Sequence, residues 1–310
     1  MNKGRVSIAL TTYNGSTYLP QLLDSIFSQT YDDLEVVASD DCSTDGTVAI
    51  LKEYQRKCNL SYSINPSRYG FLRNFDRAIS LCNGEYIALA DQDDIWHPRK
   101  LETLVNRIGN SSLICSDCSI IDKDGNPIAP SFQKALQIPI PSSEFQYYGL
   151  AFLNFVMGCT TLFRKELKEH ALPIPDEALS HDWWLGMCAC RLRGVLYLPE
   201  PLVSYRQHDT NTGGGRKLWS LQGIVKYIFS QGRREIFHRE QQRIKYYIDH
   251  HIYDDIDQEN YLRDLLSHYC SIVNTPVHIM AFRILFKYRK ILLSNIAPLA
   301  RWKYLLGRLV

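Results

Sequence analysis

The sequence predicts an α/β fold, in which a mostly parallel sheet is flanked by helices and followed by a helical C-terminal region. Over residues 1–100, short apolar runs rich in β-branched residues alternate with segments of helical period, which is typical of parallel sheets covered on both faces. Polar side chains cluster where the predicted strands end, the edge at which such sheets bind ligands. From residue 217 the chain becomes basic and tyrosine-rich and shows only helical periodicity.

Strands and helices follow one another regularly in the N-terminal part. The predicted order is strand VSIAL, helix TYLPQLLDSIFSQ, strand LEVVASDD, helix STDGTVAILKEYQRK, strand LSYSIN, helix GFLRNFDRAISLC and strand GEYIALADQDD. This alternation brings the polar strand ends TTYN, SDD and DQDD to one edge of the sheet.

The next elements are less regular. They begin with helix HPRKLETLVNRI, strand SSLICSDCSIID and hairpin turn KDGNPI. Residues 127–147 are rich in Pro, Ser and Gln, which predicts a loop or a mobile segment. Strand then helix in VMGCTTLFRKEL, helix PDEALSHDWWLGMCACRL and strand GVLYLPEPLVSYRQH follow. We therefore predict one domain over residues 1–216 and a helical region over residues 217–310.

Composition excludes some classes of protein. Of the 310 residues, 45% are apolar, which indicates a packed core. The net charge of +2 is too small to attract a polyanion such as nucleic acid. We expect no signal peptide and no transmembrane helix, because no apolar stretch is long enough. The odd number of cysteines favours a reducing compartment, and buried thiols explain the Cys115–Cys118 pair better than a metal or redox site does.

The stretch LADQDDIW, residues 89–96, places Asp91, Asp93 and Asp94 directly after an apolar run. Like charges at the end of a buried strand repel each other and need a partner. Helix capping or turn formation explains one carboxylate easily and three poorly. Alternatively, they gather around Mg²⁺ or Mn²⁺, which take oxygen ligands and leave positions for phosphate oxygens.

Several motifs that follow one another along the chain indicate a protein family more specifically than LADQDDIW does by itself. The segments VSIALTTYNGSTYLPQLLDSIFSQTYDDLEVVASDDCSTDGT, NPSRYGFLRNFDRAISLCNGEYIALADQDDIWHP and HDWW resemble, in order and spacing, the family 2 glycosyltransferases with the GT-A fold. The resemblance covers residues 4–210. It implies a Rossmann-like sheet and an inverting, metal-dependent enzyme that moves a sugar from a nucleotide diphosphate to a hydroxyl group.

The resemblance assigns donor contacts to the strand ends. Tyr13 would stack on the pyrimidine, with an ordinary turn tyrosine as the alternative. Asp40 would accept a hydrogen bond from pyrimidine N3–H, which favours uracil or thymine. Arg73 would approach the base or the phosphates. The alternative, which is nearly as well supported, is that Arg73 is an ordinary arginine on an exposed helix face. The implied donor-binding residues are Thr11, Tyr13, Asn14, Asp40, Arg73, Asp91, Gln92 and Arg206.

The resemblance also implies a metal site, with Asp93 as direct ligand and Asp94 beside it. A cation between Asp93 and the diphosphate would offset the carboxylate repulsion and assist the leaving group. His208 would complete this site or touch the diphosphate, although a surface histidine is an equal alternative. Gly213–Gly215 would let a loop close over the donor.

The motif LSHDWWLG supplies the expected general base, Asp182. Inversion needs a carboxylate opposite the leaving group and within reach of the acceptor hydroxyl. The alternative is a helix N-cap followed by two core tryptophans, Trp183 and Trp184. His181 stands where the family often has glutamate, so its role stays open. We group His181, Trp183 and Trp184 with Asp94 as acceptor-side or supporting residues.

The segments HDWW and SYRQHDTNT look like those of bacterial surface-polysaccharide rhamnosyltransferases. This favours dTDP-β-L-rhamnose as donor, with UDP-hexose or UDP-N-acetylhexosamine as alternative. A non-catalytic nucleotide-sugar-binding relative is a second class, which the presence of both Asp93 and Asp182 disfavours. We expect a lipid-linked glycan acceptor and a cytoplasmic protein at the inner face of the membrane. The basic, aromatic C-terminal region is either an interfacial contact or a packed helix pair.

Overall fold

The computed structural model describes residues 4–208, 232–270, 283–284 and 286–295. These residues form two compact units. The first unit takes residues 4–136, 156–176 and 180–208, and the second takes residues 137–155, 177–179 and the described residues from 232 onward. The predicted boundary between residues 216 and 217 and the glycines Gly213–Gly215 lie outside the described residues.

The first unit is built on one sheet. Its strands are β1 (Val6–Thr12), β2 (Leu34–Asp40), β3 (Leu60–Ile64), β4 (Tyr86–Asp91), β5 (Ile95–Trp96), β6 (Leu113–Ile121), β7 (Pro127–Ala129), β8 (Thr161–Arg164) and β9 (Val195–Arg206). They are arranged in the order β3-β2-β1-β4-β8-β6-β9-β5, with β7 paired to β6. The pairs of β1 with β2, β1 with β4, β2 with β3 and β6 with β9 are parallel, whereas β8 is antiparallel to both its neighbours. The predicted mostly parallel α/β sheet is therefore confirmed.

Helices follow most of the strands. They are α1 (Leu19–Phe27), α2 (Thr47–Lys57), α3 (Phe71–Leu81), α4 (Lys100–Arg107), α5 (Phe132–Leu136), α6 (Gln146–Phe152), α7 (Lys165–Ala171), α8 (His181–Cys190), α9 (Gly232–Asp249), α10 (Ile256–Cys270) and α11 (Arg289–Leu292). No helix in the described ranges combines the length and the apolar character that a membrane crossing needs.

The core of the first unit is aliphatic and fixes the sheet. Every residue of β1 is buried, and α1 covers it with Leu19, Leu22, Leu23 and Ile26, each fully inaccessible to solvent. Burial of such a side chain stabilises the fold by about 1.5–3 kcal/mol. The strand ends that carry polar residues are therefore held on a rigid frame.

Residues 127–147 are more structured than the predicted loop. They contain β7, α5, a 3₁₀ helix over Ser143–Phe145 and the first two residues of α6. The carboxylate of the buried Asp117 accepts hydrogen bonds from Ser131 Oγ (2.5 Å) and Gln133 N (3.2 Å), which holds the start of α5. The turn before β7 forms as predicted, with Asp122 accepting from Asn126 N at 2.8 Å.

The second unit joins the segment 137–155 to the C-terminal helices through polar anchors. Arg243 on α9 is fully buried and donates to Ala151 O (3.0 Å) and Glu240 (2.6 Å). Tyr147 Oη donates to Ile252 O (2.5 Å). These contacts explain why residues 137–155 belong with helices that follow them by about a hundred positions, a placement that is set by tertiary contacts rather than by local pattern.

Candidate active site

The carboxyl ends of β1, β2 and β4 meet at one edge of the sheet. Thr12 lies opposite Asp40 in the parallel register of β1 and β2, and Thr11 lies opposite Asp91 in that of β1 and β4. The three predicted polar strand ends are therefore neighbours in space.

Gln92 holds the loop that follows β1. Its side chain accepts from Tyr13 N and donates to Tyr13 O, both at 2.9 Å. A Cβ at Gly15 would overlap the amide of Gln92, so this close fit requires glycine. The guanidinium of Arg68 lies 4.0 Å from the ring centroid of Tyr13. Tyr13 thus has a fixed backbone and a half-buried ring with one cationic neighbour.

Asn14 connects this loop to the start of α2. It has a positive φ of 47°, a conformation that asparagine tolerates well. Its Oδ1 accepts from Thr44 N (2.8 Å), and its own N–H donates to Ser43 Oγ (2.9 Å). Partial burial acts to raise the pKa of the neighbouring Asp45, but hydrogen bonds from Thr47 and Ser16 outweigh it and lower that pKa to about 2.

Asp40 and Asp41 are both buried and hydrogen-bonded within the protein. Asp40 accepts from Thr12 Oγ1 (2.8 Å) and from both Ser43 N (2.8 Å) and Ser43 Oγ (2.6 Å). Asp41 accepts from Asn65, Tyr69 N and Gly70 N. The contacts of Asp40 favour a role in shaping the edge, and its direct contact with a base stays a prediction.

Arg73 points toward a different set of partners. From α3 its guanidinium donates to Ile174 O (2.6 Å) and to the carboxylate of Asp176. It lines an open cavity of about 380 Å³ with Tyr69, Asp76, Arg77 and Ser80. The described contacts do not favour the predicted approach of Arg73 to the phosphates.

The two residues predicted to bind metal lie together. His208 Nε2 is 2.7 Å from Asp93 Oδ2, and each side chain is 13% exposed. The pair is thus mostly buried and keeps a small part of each side chain open to solvent.

Arg206, at the end of β9, supports the turn that carries Asp93. It is 2% exposed. Its Nε donates to Asp93 O (2.9 Å), its Nη2 to Gln21 Oε1 (2.7 Å), and its backbone N–H to Asp94 Oδ1 (3.0 Å). These contacts favour a positioning role over the phosphate contact that the resemblance implies.

Asp94 is fully buried, whereas Asp91 and Asp93 are each half-buried. Burial raises the pKa of Asp91 to about 7, the charges of Asp93 and Asp182 add to this, and Lys100 opposes it. Burial, with the charges of Asp93 and Asp91, also holds the pKa of Asp94 well above its usual range. The carboxylates of Asp91 and Asp94 and the thiol of Cys159 have ligand atoms within 4.8 Å of one another.

These donor sets fit a hard divalent cation. Asp93 offers a carboxylate oxygen and His208 an imidazole nitrogen. A carboxylate suits Mg²⁺ or Mn²⁺, and these ions leave further positions for phosphate oxygens. Asp94 Oδ2 is buried without a hydrogen-bond partner among the described residues. Lys100 lies beside the group of Asp91, Asp94 and Cys159, because its Nζ donates to Cys159 O (2.6 Å), and burial lowers the pKa of Lys100 to about 7.

Asp182 lies in the first turn of α8 and is half-buried. Its Oδ2 accepts from Gly158 N (2.9 Å), and its Oδ1 accepts from Ser180 Oγ (2.5 Å) and Trp183 N (2.7 Å). The side chain is therefore fixed in one orientation. Its charge acts on Asp91, which links the helix to the strand-end cluster.

The residues around Asp182 differ in role. His181 is 6% exposed, stacks on Phe75 with ring centroids 3.7 Å apart, and has no hydrogen-bond partner for either ring nitrogen within the described ranges. Trp184 is a core residue whose Nε1 donates to Ala171 O (2.7 Å). Trp183 is only half-buried, so it is the tryptophan that can face an acceptor.

Sequence reasoning did not find Lys100. It is fully buried, and its Nζ donates to Cys159 O (2.6 Å). A signal was present, because Lys100 falls on the same face of α4 as Leu101, Leu104 and Val105. A lysine in an apolar helix face indicates a buried counter-charge.

The mostly parallel sheet with flanking helices is the fold of GT-A glycosyltransferases, and solved structures of such enzymes share it. The chain is similar to TarS of S. aureus in complex with UDP, with TM-score 0.58 and 17% identity over 98% of this chain and 88% of that chain. It is also similar to the mannosyltransferase PcManGT from Pyrobaculum calidifontis in complex with GDP-Man and Mn²⁺, with TM-score 0.53 and 17% identity over 99% and 85% of the two chains. At such identities the likeness shows the fold.

Sequence comparison then gives the family. Residues 7–171 match Glycosyl transferase family 2, and the chain belongs to that family of enzymes. It is 31% identical over 220 residues to the dTDP-rhamnosyl transferase RfbG of Shigella flexneri, which is 66% of this chain and 73% of that protein. It is 28% identical over 192 residues to the putative teichuronic acid biosynthesis glycosyltransferase TuaG of Bacillus subtilis, 60% and 72% of the two chains.

Proposed function

We propose that this glycosyltransferase moves L-rhamnose from dTDP-β-L-rhamnose to a hydroxyl group of a bacterial surface glycan, with inversion. The observation that supports this choice of donor is the 31% identity to a dTDP-rhamnosyl transferase. The similarity to a protein named for teichuronic acid biosynthesis supports a surface glycan as product. We place the acceptor on a lipid carrier at the inner face of the membrane, with the basic C-terminal region as the membrane contact.

In this proposal Asp182 is the general base. The acceptor oxygen forms a bond to the anomeric carbon, its proton passes to the Asp182 carboxylate, and the bond from that carbon to dTDP breaks. Hydrogen bonds from Gly158 N, Ser180 Oγ and Trp183 N support this role, because they fix the carboxylate for proton transfer.

Asp93 and His208 are the proposed holders of Mg²⁺ or Mn²⁺, supported by their 2.7 Å approach at the strand-end edge. When bound, the ion would act as a Lewis acid toward the leaving diphosphate. Arg206 would keep Asp93 in place, and Gln92 would keep the Tyr13 loop in place for the nucleoside.

A thermal-unfolding panel of dTDP, UDP, GDP and CDP, with and without Mn²⁺, tests the donor assignment. A ligand that binds only the folded protein stabilises it by about 2.7 kcal/mol at a hundredfold excess over Kd. We expect dTDP with Mn²⁺ to give the largest rise in Tm, and Asp93→Asn to remove the part that depends on Mn²⁺. A larger rise with UDP would replace rhamnose by a UDP-hexose or UDP-N-acetylhexosamine donor, and no rise with any nucleotide would refute donor binding.

A further inference from the structure

His181 is a buried imidazole whose polar atoms serve no hydrogen bond. It is 6% exposed, and neither ring nitrogen has a hydrogen-bond partner among the residues that the structure describes. Its ring stacks on the buried ring of Phe75, with centroids 3.7 Å apart. Burial of a polar group without a hydrogen bond is unfavourable, so the position of His181 needs a reason other than polar contacts. That reason is its packing against the backbone of Gly158.

Gly158 lies so close to this ring that no side chain fits there. A Cβ at Gly158 would lie 2.6 Å from His181 Nε2 and 3.6 Å from the Cβ of Asp182. The first distance is well inside van der Waals contact. Gly158 is not one of the glycines with a positive φ. The position therefore requires glycine for space rather than for backbone conformation.

The backbone of Gly158 is also fixed by its own turn. Gly158 begins a short 3₁₀ helix that ends at Thr160, and the N–H of Thr160 donates to Met157 O (3.0 Å). The carbonyl oxygen of Gly158 accepts from Thr161 Oγ1 (2.8 Å). With this turn and the His181 ring in place, the N–H of Gly158 is directed at Asp182 Oδ2, 2.9 Å away.

The two carboxylate oxygens of Asp182 are held from different elements. Oδ1 accepts from Ser180 Oγ (2.5 Å) and Trp183 N (2.7 Å), both at the start of α8. Two hydrogen bonds are the number that one carboxylate oxygen ordinarily accepts. Oδ2 is instead held by Gly158, which precedes β8. The direction of Oδ2 thus depends on where the Gly158 turn lies.

We propose that Gly158, supported by His181 and Phe75, is a positioning residue for Asp182 and directs Oδ2 toward the acceptor hydroxyl. As the acceptor oxygen bonds to the anomeric carbon and the bond to dTDP breaks, the hydroxyl proton passes to Oδ2. This inference rests on the proposed role of Asp182 as general base.

Gly158→Ala tests the positioning role in the full-length enzyme with Mn²⁺, dTDP-β-L-rhamnose and a rhamnose-terminated acceptor. The new methyl group would overlap the imidazole, so it moves the turn away from Asp182. We expect kcat to fall by about 10- to 100-fold, because a misplacement of about 1 Å can cost that much. KM for the donor and the dTDP-induced rise in Tm should stay unchanged. A wild-type kcat in Gly158→Ala would overturn the proposal.

Gly46→Ala is the matched control. Its Cβ would lie 3.5 Å from Ser16 Cβ, an ordinary contact, so kcat should stay within about twofold of the wild type. An equal loss of kcat in both variants would show that the effect is not specific to Gly158.

Removal of the imidazole tests the part that His181 plays. His181→Ala makes room for the methyl group, so Gly158→Ala/His181→Ala should have a kcat at least about fivefold higher than that of Gly158→Ala. Losses of kcat that multiply in the double variant would overturn the proposal. If Gly158→Ala fails to fold, recovery of folding in the double variant supports the proposed packing, and failure of both variants overturns it.

Asp182→Asn separates this inference from the proposed function. Full transfer by Asp182→Asn would refute Asp182 as the base and with it the proposed mechanism. Loss of transfer in Asp182→Asn together with an unchanged kcat in Gly158→Ala would overturn the positioning role alone.

Discussion

His181 and Asp182 are adjacent in the sequence and occupy opposite environments. Asp182 is half-buried, whereas His181 is stacked under Phe75 and almost inaccessible to solvent. A Cβ at Gly158 would lie 2.6 Å from His181 Nε2, so the ring fills its space tightly. His181 therefore supports the backbone of Gly158, whose N–H binds Asp182.

This burial predicts a dependence of stability on pH. Burial lowers the pKa of His181 below the ordinary value of a histidine, although the charge of Asp182 opposes this. As the pH falls, the unfolded chain takes up the proton first, so stability is lost below about pH 6.5 and is unaffected well above it. The Tm of the wild type should fall more steeply than that of His181→Gln between about pH 7.5 and about pH 5.5.

His170 is exposed and provides the matched substitution, because His170→Gln makes the same chemical change without touching a buried ring. The difference from the wild type should therefore be specific to His181→Gln. If the curve of His181→Gln is parallel to that of the wild type, the ring titrates as it does in the unfolded chain and the argument from burial fails.

At the level of single residues, the sequence predicted the types of side chain at the edge better than their contacts. The sequence predicted Asp93 and His208 in one site and Asp182 at the start of a helix, and the structure has both arrangements. It could not predict that Arg206 and Arg73 would be engaged elsewhere, because their partners, such as Gln21 and Asp176, are more than a hundred residues away in the chain.

In the proposed function, the loop between β1 and α1 holds the nucleoside of the donor. Gly15→Ala would force the Gln92 amide out of its place and break its hydrogen bonds to Tyr13. Each lost hydrogen bond costs about 0.5–1.5 kcal/mol, so we expect roughly tenfold weaker dTDP binding by titration calorimetry.

Gly46→Ala is the matched control in the next loop. Its Cβ would lie 3.5 Å from Ser16 Cβ, which is ordinary van der Waals contact. It should leave dTDP binding within twofold of the wild type, by the size of surface-substitution effects of about 0.5 kcal/mol. Equal losses of affinity in both variants would show that the hydrogen bonds of Gln92 to Tyr13 do not govern nucleotide binding.

Among the elements, the regular alternation of the first hundred residues was predictable because each run is long and strongly patterned. The antiparallel direction of β8 was not, since it depends on the chain returning between β4 and β6. The short elements β7 and α5 were also missed, because β7 is held by its pairing with β6 and the start of α5 by Asp117 on that strand.

At the scale of the whole molecule, the sheet of the first unit and the helices of the second are each supported by their own buried contacts. The predicted helical character of the C-terminal region agrees with α9, α10 and α11. The membership of residues 137–155 in that unit was not predictable, since links such as Ser142 Oγ to Ser294 Oγ (3.1 Å) join distant parts of the chain.

The central claim is that the enzyme transfers the sugar with inversion at its anomeric carbon and with Asp182 as the general base. The direct measurement is transfer from dTDP-β-L-rhamnose with Mn²⁺ to a synthetic rhamnose-terminated acceptor, with the product's anomeric configuration read by NMR. We expect an α-linked product, and in Asp182→Asn a loss of transfer of about 10²–10⁴-fold with an unchanged dTDP-induced Tm shift. The control Asp32→Asn, at an exposed site before β2, should keep full activity. A β-linked product, or full transfer by Asp182→Asn, would contradict the account.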